Sequence, residues 1–515
     1  MTKLIQPNRR NILQGGAALG ALSLTGLPAM AQAKKGGRVR AALAEGSTQD
    51  SLDPGTYTDI YMISVGFATH STLTEISPEG ELVGDVASGW EGSNGAKTWT
   101  FELRPEVTFS DGRKLTADDV IASIQHHVGE EASSGVRTFA EAIAEFKKDG
   151  DHTVIFELHE ANADFPFLMA DYHFIMMPAE DGKANWQDYI GTGGYVMTEH
   201  APGQRTLLTK RDDYWKADRG WFDEIEILYV PDVVARQNGL RTGEVDLMSR
   251  VDLKTVGLLE RQPGIKVEEA TGFLHYTFPM MSNTAPFDNK DVRLALKYGL
   301  DRETLLQTIL TGRGVVANDH PIAPSVPYHN AEIEQRMYDP DKAKFHLKQA
   351  GLDSLNVTLA AADAAYSGAV DASVLYKEQA APGGINITVD RRPNDGYWSD
   401  VWMQVPFCAC YWGGRPTCDW MFSQAYAADA KWNDSFWQHD RFNELLVQAR
   451  GELDEGNRAE MYGEMQQIVS EDGGVIVWAF ANYVYALADK VEHGPDVASN
   501  WELDGGRWTE RWWLA

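Results

Sequence analysis

The chain has 515 residues, enough for more than one domain, because single domains usually contain about 100 to 200 residues. Apolar residues make up 43% and charged residues 23%, and this composition excludes a disordered chain. The net charge of -29 opposes binding to nucleic acid or to anionic membrane surfaces. The sequence therefore predicts a folded, water-soluble protein that binds neither.

The first residues have the pattern of an export signal. A basic start is followed by an uncharged apolar stretch and by an A-x-A cleavage site that ends at Ala31. The pair Arg9-Arg10 resembles the bacterial twin-arginine signal, although Gln14 replaces the usual Lys. The stretch is too rich in Gly and Ala to favour a membrane anchor. We expect 1–31 to be a twin-arginine signal peptide and the mature protein to be periplasmic.

Strand and helix patterns follow one another in mixed order. The stretches 36–43 and 99–103 are typical of strands, and the second alternates apolar and polar residues. Thr116-Ala117-Asp118-Asp119 has the spacing of a capping box and predicts the start of a helix. Asp291 and Asp301 are expected to cap two further helices. This mixture predicts α/β layers.

Near the end of the chain, apolar spacing predicts two amphipathic helices that are separated at Gly456-Asn457. The apolar run Val475 to Ala488 then reads as a buried strand pair and is too short to span a membrane. No low-complexity linker divides the chain. The absence of linkers in a chain of several domains predicts that the chain crosses between lobes more than once.

Motifs for catalysis are absent from the sequence. It contains no G-x-S-x-G elbow, no H-E-x-x-H motif and no Walker A loop. Cys408, Cys410 and Cys418 could bind a soft metal, form one disulfide between the last two, or serve as small buried residues, the interpretation that we favour. We therefore expect no catalytic residue, no metal site and no cofactor.

One long segment carries a family resemblance. Thr98 to Asp119, which reads TWTFELRPEVTFSDGRKLTADD, closely resembles the signature of the family 5 extracellular solute-binding proteins, the peptide, nickel and opine receptors of ABC importers. Further matching stretches follow in the order of the family: Leu52-Asp53-Pro54, Ile190 to Tyr195, Tyr214-Trp215, Thr242 to Asp246, Pro286 to Glu303, and Tyr338 to Leu352.

The resemblance implies a fold, a two-lobed periplasmic binding protein clamshell of type II with an extra inserted subdomain. Lobe I would comprise 36–70, 180–271 and 479–515. The inserted subdomain would comprise 71–179, and lobe II would comprise 272–478. Two strands that cross between the lobes would form the hinge, and the lobes would close on the solute.

The resemblance also implies a Trp-containing loop that lines the cleft. Dipeptide-binding members commonly have an Asp three residues after this Trp, where it holds the ammonium group of the peptide; here that position is Arg415. A guanidinium favours a carboxylate or phosphate instead. A structural ion pair of Arg415 within lobe II is the alternative. The expected ligand-binding residues are Tyr411, Trp412, Gly414, Arg415, Asp419, Trp432 and Asn433.

Within this set, Asp419 is a candidate to hold an ammonium group in place of the missing Asp, with helix capping as its structural alternative. Trp412 and Trp432 are expected to stack on solute, and Asn433 to form hydrogen bonds with it. Of the 16 Trp, most lie after residue 390, and we expect the majority of these to be core residues.

These features predict a monomeric receptor that captures an oligopeptide or an opine-like, carboxylate-bearing solute without altering it. Its partners would be that solute and the permease subunits of an ABC importer in the inner membrane. A secreted hydrolase on a similar scaffold is the alternative function. A sensory protein that presents solute to a chemoreceptor is a third possibility.

Overall fold

A computed structural model describes residues 35–129, 132, 134–393 and 397–515. The predicted signal peptide lies outside these residues. The strands are β1 Arg38–Leu43, β2 Thr74–Ile76, β3 Leu82–Gly84, β4 Ala87–Ser93, β5 Thr98–Leu103, β6 Ile143–Lys148, β7 Thr153–Leu158, β8 Ala179–Glu180, β9 Lys183–Ala184, β10 Tyr195–Ala201, β11 Arg205–Lys210, β12 Glu224–Tyr229, β13 Leu247–Met248, β14 Ile265–Pro279, β15 Gly314–Val316, β16 Leu355–Ala361, β17 Ile385–Arg391, β18 Cys410–Trp412, β19 Val475–Ala488, β20 Val491–Glu492 and β21 Trp513–Leu514.

The helices alternate with these strands. They are α1 Ile60–Thr69, α2 Ala117–Gln125, α3 Arg137–Ala140, α4 Phe165–Leu168, α5 Val233–Thr242, α6 Val256–Leu259, α7 Lys290–Tyr298, α8 Arg302–Ile309, α9 Pro340–Gln349, α10 Ala369–Ala380, α11 Tyr397–Asp400, α12 Cys418–Ala425, α13 Asp440–Gly451, α14 Glu455–Asp472, α15 Glu502–Gly505 and α16 Trp508–Arg511, with short 3-10 turns at Pro54–Thr56 and Ala381–Gly383. Among the described residues, no helix is long and apolar enough to cross a membrane.

The largest sheet has nine strands in the order β10-β11-β12-β1-β13-β19-β14-β18, and β15 also pairs with β19. Strand β1 runs parallel to β12 and β13, whereas the other pairs of this sheet are antiparallel. The predicted strand at 36–43 is confirmed. This mixed sheet is the scaffold on which the other elements pack.

The long strands β14 and β19 join different cores. They pair antiparallel from Ile265 opposite Ala488 to Pro279 opposite Val475. At one end of β19, Tyr485 packs in a core that also contains α1 and α16, and at the other end Trp478 packs in a core with α7, α8 and α10. The prediction of a strand pair for Val475 to Ala488 is therefore wrong, because this run forms one continuous strand.

A separate sheet in the order β4-β5-β7-β6 has its own core, with α2 packed against it. Strand β5 alternates buried and more exposed residues, as predicted. Helix α2 begins with the predicted capping box, in which the Asp119 carboxylate accepts a hydrogen bond of 2.8 Å from the backbone N–H of Thr116. This carboxylate fixes the first turn because it binds a backbone N–H that the helix leaves without a partner.

Two helix boundaries differ from the prediction. Asp301 caps α8 as expected, but α7 is capped by Asn289, whose side chain accepts a hydrogen bond of 2.8 Å from the N–H of Asp291. Helices α13 and α14 are separated at 452–454, and Asp454 caps α14. Gly456-Asn457 lies in the first turn of α14, because a side-chain cap outweighs the weak helix propensity of these residues.

Candidate functional site

A cavity of about 1110 Å³ lies beside strands β14, β18 and β19 of the large sheet, each of which contributes lining residues. Its wall includes residues that follow β1 and β13, the loop after β18, and part of the segment that holds the separate sheet. Ligands of α/β proteins commonly bind beyond the carboxyl ends of parallel strands. The position and the size of this cavity are therefore those of a ligand site.

Five aromatic rings form one side of the cavity, and we call them the aromatic wall: Trp398, Trp402, Tyr411, Trp412 and Trp432. Their ring centroids follow one another at 5.5 to 6.2 Å, and neighbouring rings are inclined by 53° to 79°. Trp398 is 41% exposed, Tyr411 39% and Trp432 37%. Large aromatic residues are usually more buried than this, so the wall offers apolar faces to a ligand.

Asp434 lies behind the aromatic wall. Its Oδ2 accepts hydrogen bonds from the indole N–H of Trp402 at 3.1 Å and of Trp412 at 3.3 Å. No ion pair among the described residues involves Asp434, and the residue is 4% exposed. Burial raises the pKa of Asp434 to about 6, against the effect of the two indole hydrogen bonds. The carboxylate fixes both rings and remains ionised at neutral pH.

Arg415 contributes a positive charge to the cavity. It forms no ion pair within the described chain, and its guanidinium carbon lies 5.7 Å from the ring centroid of Trp420. Burial lowers the pKa of Arg415 from its ordinary value, yet a guanidinium stays protonated in proteins. The structural ion pair that was the alternative for Arg415 is thus absent here.

Gly414 shapes the turn that presents Arg415. Its φ is +71°, and a Cβ atom at this position would lie 2.1 Å from the Cβ of Phe273 and 2.4 Å from the Phe273 carbonyl oxygen. Any larger residue would both strain the backbone and collide with β14. Gly414 therefore acts by allowing the loop to approach the strand closely.

Three charged residues from other elements lie in the cavity lining on the flank of the aromatic wall. Glu45 follows β1 and Arg250 follows β13, so both lie at one edge of the parallel pair. Arg250 forms ion pairs of 2.6 Å with Glu45 and with Glu502. Burial raises the pKa of Glu45 to about 7, and the nearby Glu502 adds to this effect. Two carboxylates thus share one guanidinium.

The structure brings together most of the predicted ligand-binding residues. Tyr411, Trp412, Gly414, Arg415 and Trp432 all line the cavity. The sequence reasoning missed several other lining residues: Glu45, Arg250, Trp398, Trp402 and Glu502. The clustering of Trp after residue 390 was a signal for Trp398 and Trp402, but the sequence analysis interpreted most of these Trp as core residues.

Two predicted residues do not line the cavity. Asp419 is buried on α12 and accepts hydrogen bonds from Arg450 at 3.0 Å and from Ser423 at 3.3 Å. The amide of Asn433 donates to the carbonyl oxygens of Ala427 and Trp437. Both side chains thus have partners within the protein in place of a solute.

The three cysteines are free and buried. Burial raises the pKa of all three thiols, and the Cys418 thiol donates to the Pro327 carbonyl oxygen at 3.3 Å. The structure thus has no disulfide between Cys410 and Cys418. The described residues contain no group of three or more His, Cys, Asp or Glu side chains that could hold a metal ion.

Comparison with known proteins identifies the family. Residues 81–434 match the family described as bacterial extracellular solute-binding proteins, family 5 Middle. The chain belongs to this family of ABC transporter solute-binding proteins. Heme-binding protein A of Haemophilus influenzae is 27% identical over 60% of this chain and 59% of its own length. The dipeptide-binding protein of Escherichia coli is 25% identical over 87% of this chain and 88% of its own length.

Solved structures show the same fold. The substrate-binding protein CtaP of Listeria monocytogenes superposes with a TM-score of 0.81 at 19% identity, over 93% of this chain and 100% of its own. AgaA of Agrobacterium tumefaciens R10, solved with agropinic acid, superposes with a TM-score of 0.76 at 21% identity, over 93% of this chain and 99% of its own. The protein therefore has the predicted α/β fold of the two-lobed periplasmic binding proteins.

Proposed function

We propose that this protein is the periplasmic receptor of an ABC importer and captures a carboxylate-bearing solute, such as an oligopeptide or an opine-like compound. The observation that carries this proposal is the guanidinium of Arg415, which lines a large aromatic cavity and forms no ion pair with any described residue. A charge without a partner is costly in a partly buried site, and a carboxylate can supply a bidentate partner. The family membership supports the transport role.

We also propose that the lobe boundaries follow the resemblance, with β14 and β19 as the hinge strands between lobe I and lobe II. Contacts between the inserted subdomain, 71–179, and lobe II support a closed arrangement of the cleft. The N–H of Ala163 donates to the Arg450 carbonyl oxygen at 2.7 Å, and Asp164 forms a buried ion pair with Arg458. Closure of this kind would trap the solute and present a docking surface to the permease.

Export by the twin-arginine signal at 1–31 and a monomeric state complete the proposal. The protein would bind its solute without chemical change. The alternative function, hydrolysis on a similar scaffold, requires that bound ligand be converted to product. Incubation of the protein with a bound solute, followed by mass spectrometry of the solution, separates the two functions.

The experiment that tests the carboxylate proposal is calorimetric titration of the mature protein with a series of peptides, opines and simple carboxylates. We expect one saturable site. In Arg415→Ala, binding should weaken by about 1.5 to 3 kcal/mol, because a charged hydrogen bond is lost. Arg261→Ala is the matched control, because Arg261 is exposed and outside the cavity. Equal affinity in Arg415→Ala and wild type would contradict the proposal.

A further inference from the structure

Neighbouring rings of the aromatic wall are inclined to one another, whereas stacking on a flat ligand needs only one ring or parallel rings. Trp398 is inclined by 79° to Trp402 and by 71° to Tyr411, and Trp402 is inclined by 69° to Trp412. A flat ligand stacks on one ring or between parallel rings. Mutually inclined rings instead form the sides of a box, the arrangement that surrounds a compact, roughly spherical group.

The electrostatics of this box favour a positive charge. The face of an aromatic ring is negative, and Trp attracts a cation more strongly than Tyr or Phe does. Trp402 and Trp412 each donate their indole N–H to the carboxylate of Asp434. Hydrogen bonding to an anion polarises a donor and moves electron density away from the anion. The faces of these two rings are therefore more negative than those of isolated indoles.

Asp434 supplies negative charge behind two rings of the wall, and Arg250 is a cation near the hydroxyl of Tyr411. No Lys or Arg lies over a ring of the aromatic wall in the described residues. On the flank of the wall, Glu45 and Glu502 share the single guanidinium of Arg250. Asp434 adds a buried charge that no cation of the described chain neutralises.

We propose that the aromatic wall is a cage for a quaternary ammonium group of the solute. This inference rests on the proposed function, because Arg415, which lines the same cavity, would hold the carboxylate of that solute. A methylated ammonium fits such a cage because it offers positive charge but no N–H that needs an acceptor. The solute class is thus a zwitterion that has a quaternary ammonium at one end and a carboxylate at the other.

The test compares two probes of the same shape. One is γ-trimethylammoniobutyrate, and the other is its carbon isostere, in which a quaternary carbon replaces the nitrogen. Both keep the carboxylate, so they differ in the charge that enters the cage. In calorimetric titrations, we expect the wild-type protein to bind the ammonium compound about tenfold more tightly than the isostere.

Variants assign this preference to the cage. Trp432→Leu should reduce the preference severalfold, and Trp432→Phe should retain most of it, because a phenyl ring keeps a negative face. Asp434→Asn should also reduce the preference, since it removes the charge behind two rings. Trp186→Leu is the matched control: Trp186 is partly exposed and lies outside the cavity, so the preference should not change.

Several outcomes are decisive. Equal binding of the two probes, with both lost in Arg415→Ala, would overturn the cage and leave the carboxylate proposal standing. A tenfold preference that survives Trp432→Leu and Asp434→Asn would also overturn the cage. If neither probe binds, the cage is wrong, and the peptide and opine series then decides the carboxylate proposal separately.

Discussion

Two buried regions of this protein contain charged residues, and they differ in whether those charges are paired. The first region surrounds helix α16, and we call it the C-terminal ion cluster. Its carboxylates pair with an equal number of cations: Glu75, Asp85, Asp504 and Glu510 with Lys216, Arg219, Arg507 and Arg511. At the cavity, Arg415 in the lining and Asp434 behind the aromatic wall have no ion-pair partner among the described residues. Matched charges stabilise the fold, and we propose that the unmatched charge of Arg415 marks the place where a ligand binds.

The largest expected effect comes from breaking the balanced region. Lys216 lies 2.8 Å from Asp85 and 3.4 Å from both Glu75 and Glu510. Lys216→Met should lower the free energy of unfolding by about 3 to 5 kcal/mol, because three buried carboxylates lose one of their cations and keep Arg507 as a shared partner. Urea unfolding followed by circular dichroism measures the change. Lys254→Met, at an exposed position, is the control, and a similar loss in both variants would contradict the comparison.

Substitution of Asp434 is expected to raise the free energy of unfolding at neutral pH, by less than the loss expected at Lys216. Its pKa is raised to about 6 by burial, above the ordinary value near 3.8, so its stabilising contribution is present below about pH 4 and is lost as the pH rises through 6. Asp434→Asn removes this loss. We compare the free energy of unfolding of Asp434→Asn with that of wild type at each pH. The difference, variant minus wild type, should be roughly 2 kcal/mol larger at pH 7.5 than at pH 4.

Unfolding titrations of both proteins at several pH values measure this gain. A difference between wild type and Asp434→Asn that stays constant from pH 4 to pH 7.5 would show that Asp434 is not a buried, unneutralised carboxylate. Asp429→Asn is a suitable control, because Asp429 is exposed on the same loop.

At Arg415 the comparison predicts little loss of stability. Arg415→Met removes a charge that has no carboxylate partner in the described chain, and the thioether can still pack on Trp420. The free energy of unfolding without solute should stay constant or rise by up to about 1 kcal/mol. Thermal unfolding with and without solute checks this, and a large loss without solute would indicate that Arg415 has a structural role.

The smallest effect is expected at the thiols. Cys418 is 1% exposed and its pKa is raised by burial, so the reactive thiolate is scarce in the folded protein. Native protein should react with a thiol reagent only as fast as it unfolds, and Cys418→Ala should leave solute affinity unchanged. Fast labelling of three thiols in the native state would contradict the buried, reduced arrangement.

The sequence predicted the fold well where local rules and family motifs agree. The strand at 99–103 and the capping box of α2 are local patterns, and the structure confirms both. The cap of α7 was predicted wrongly, because Asn289 and Asp291 are equally good caps in isolation and tertiary packing decides between them. The continuous strand β19 was missed because an apolar run alone does not show where its backbone partners lie.

The candidate site was predicted in part for a related reason. Arg415 and Trp412 were identified because they share one loop, in which the distance along the chain from the Trp predicts the ligand-binding position. Glu45, Arg250 and Glu502 come from three distant segments, and their meeting depends on the pairing of β1 with β13 and on the position of α15. Asp419 has a structural partner in Arg450, 31 residues further along the chain, which local sequence does not reveal.

The most direct test of the account is mass spectrometry of the solute that is released from mature protein purified from cells under native conditions. We expect one intact organic compound that has a carboxylate, and a one-to-one complex that Arg415→Ala weakens. A metal complex or an uncharged sugar in the same position would contradict the assignment of the cavity charges. Recovery of hydrolysed fragments would contradict the receptor function itself.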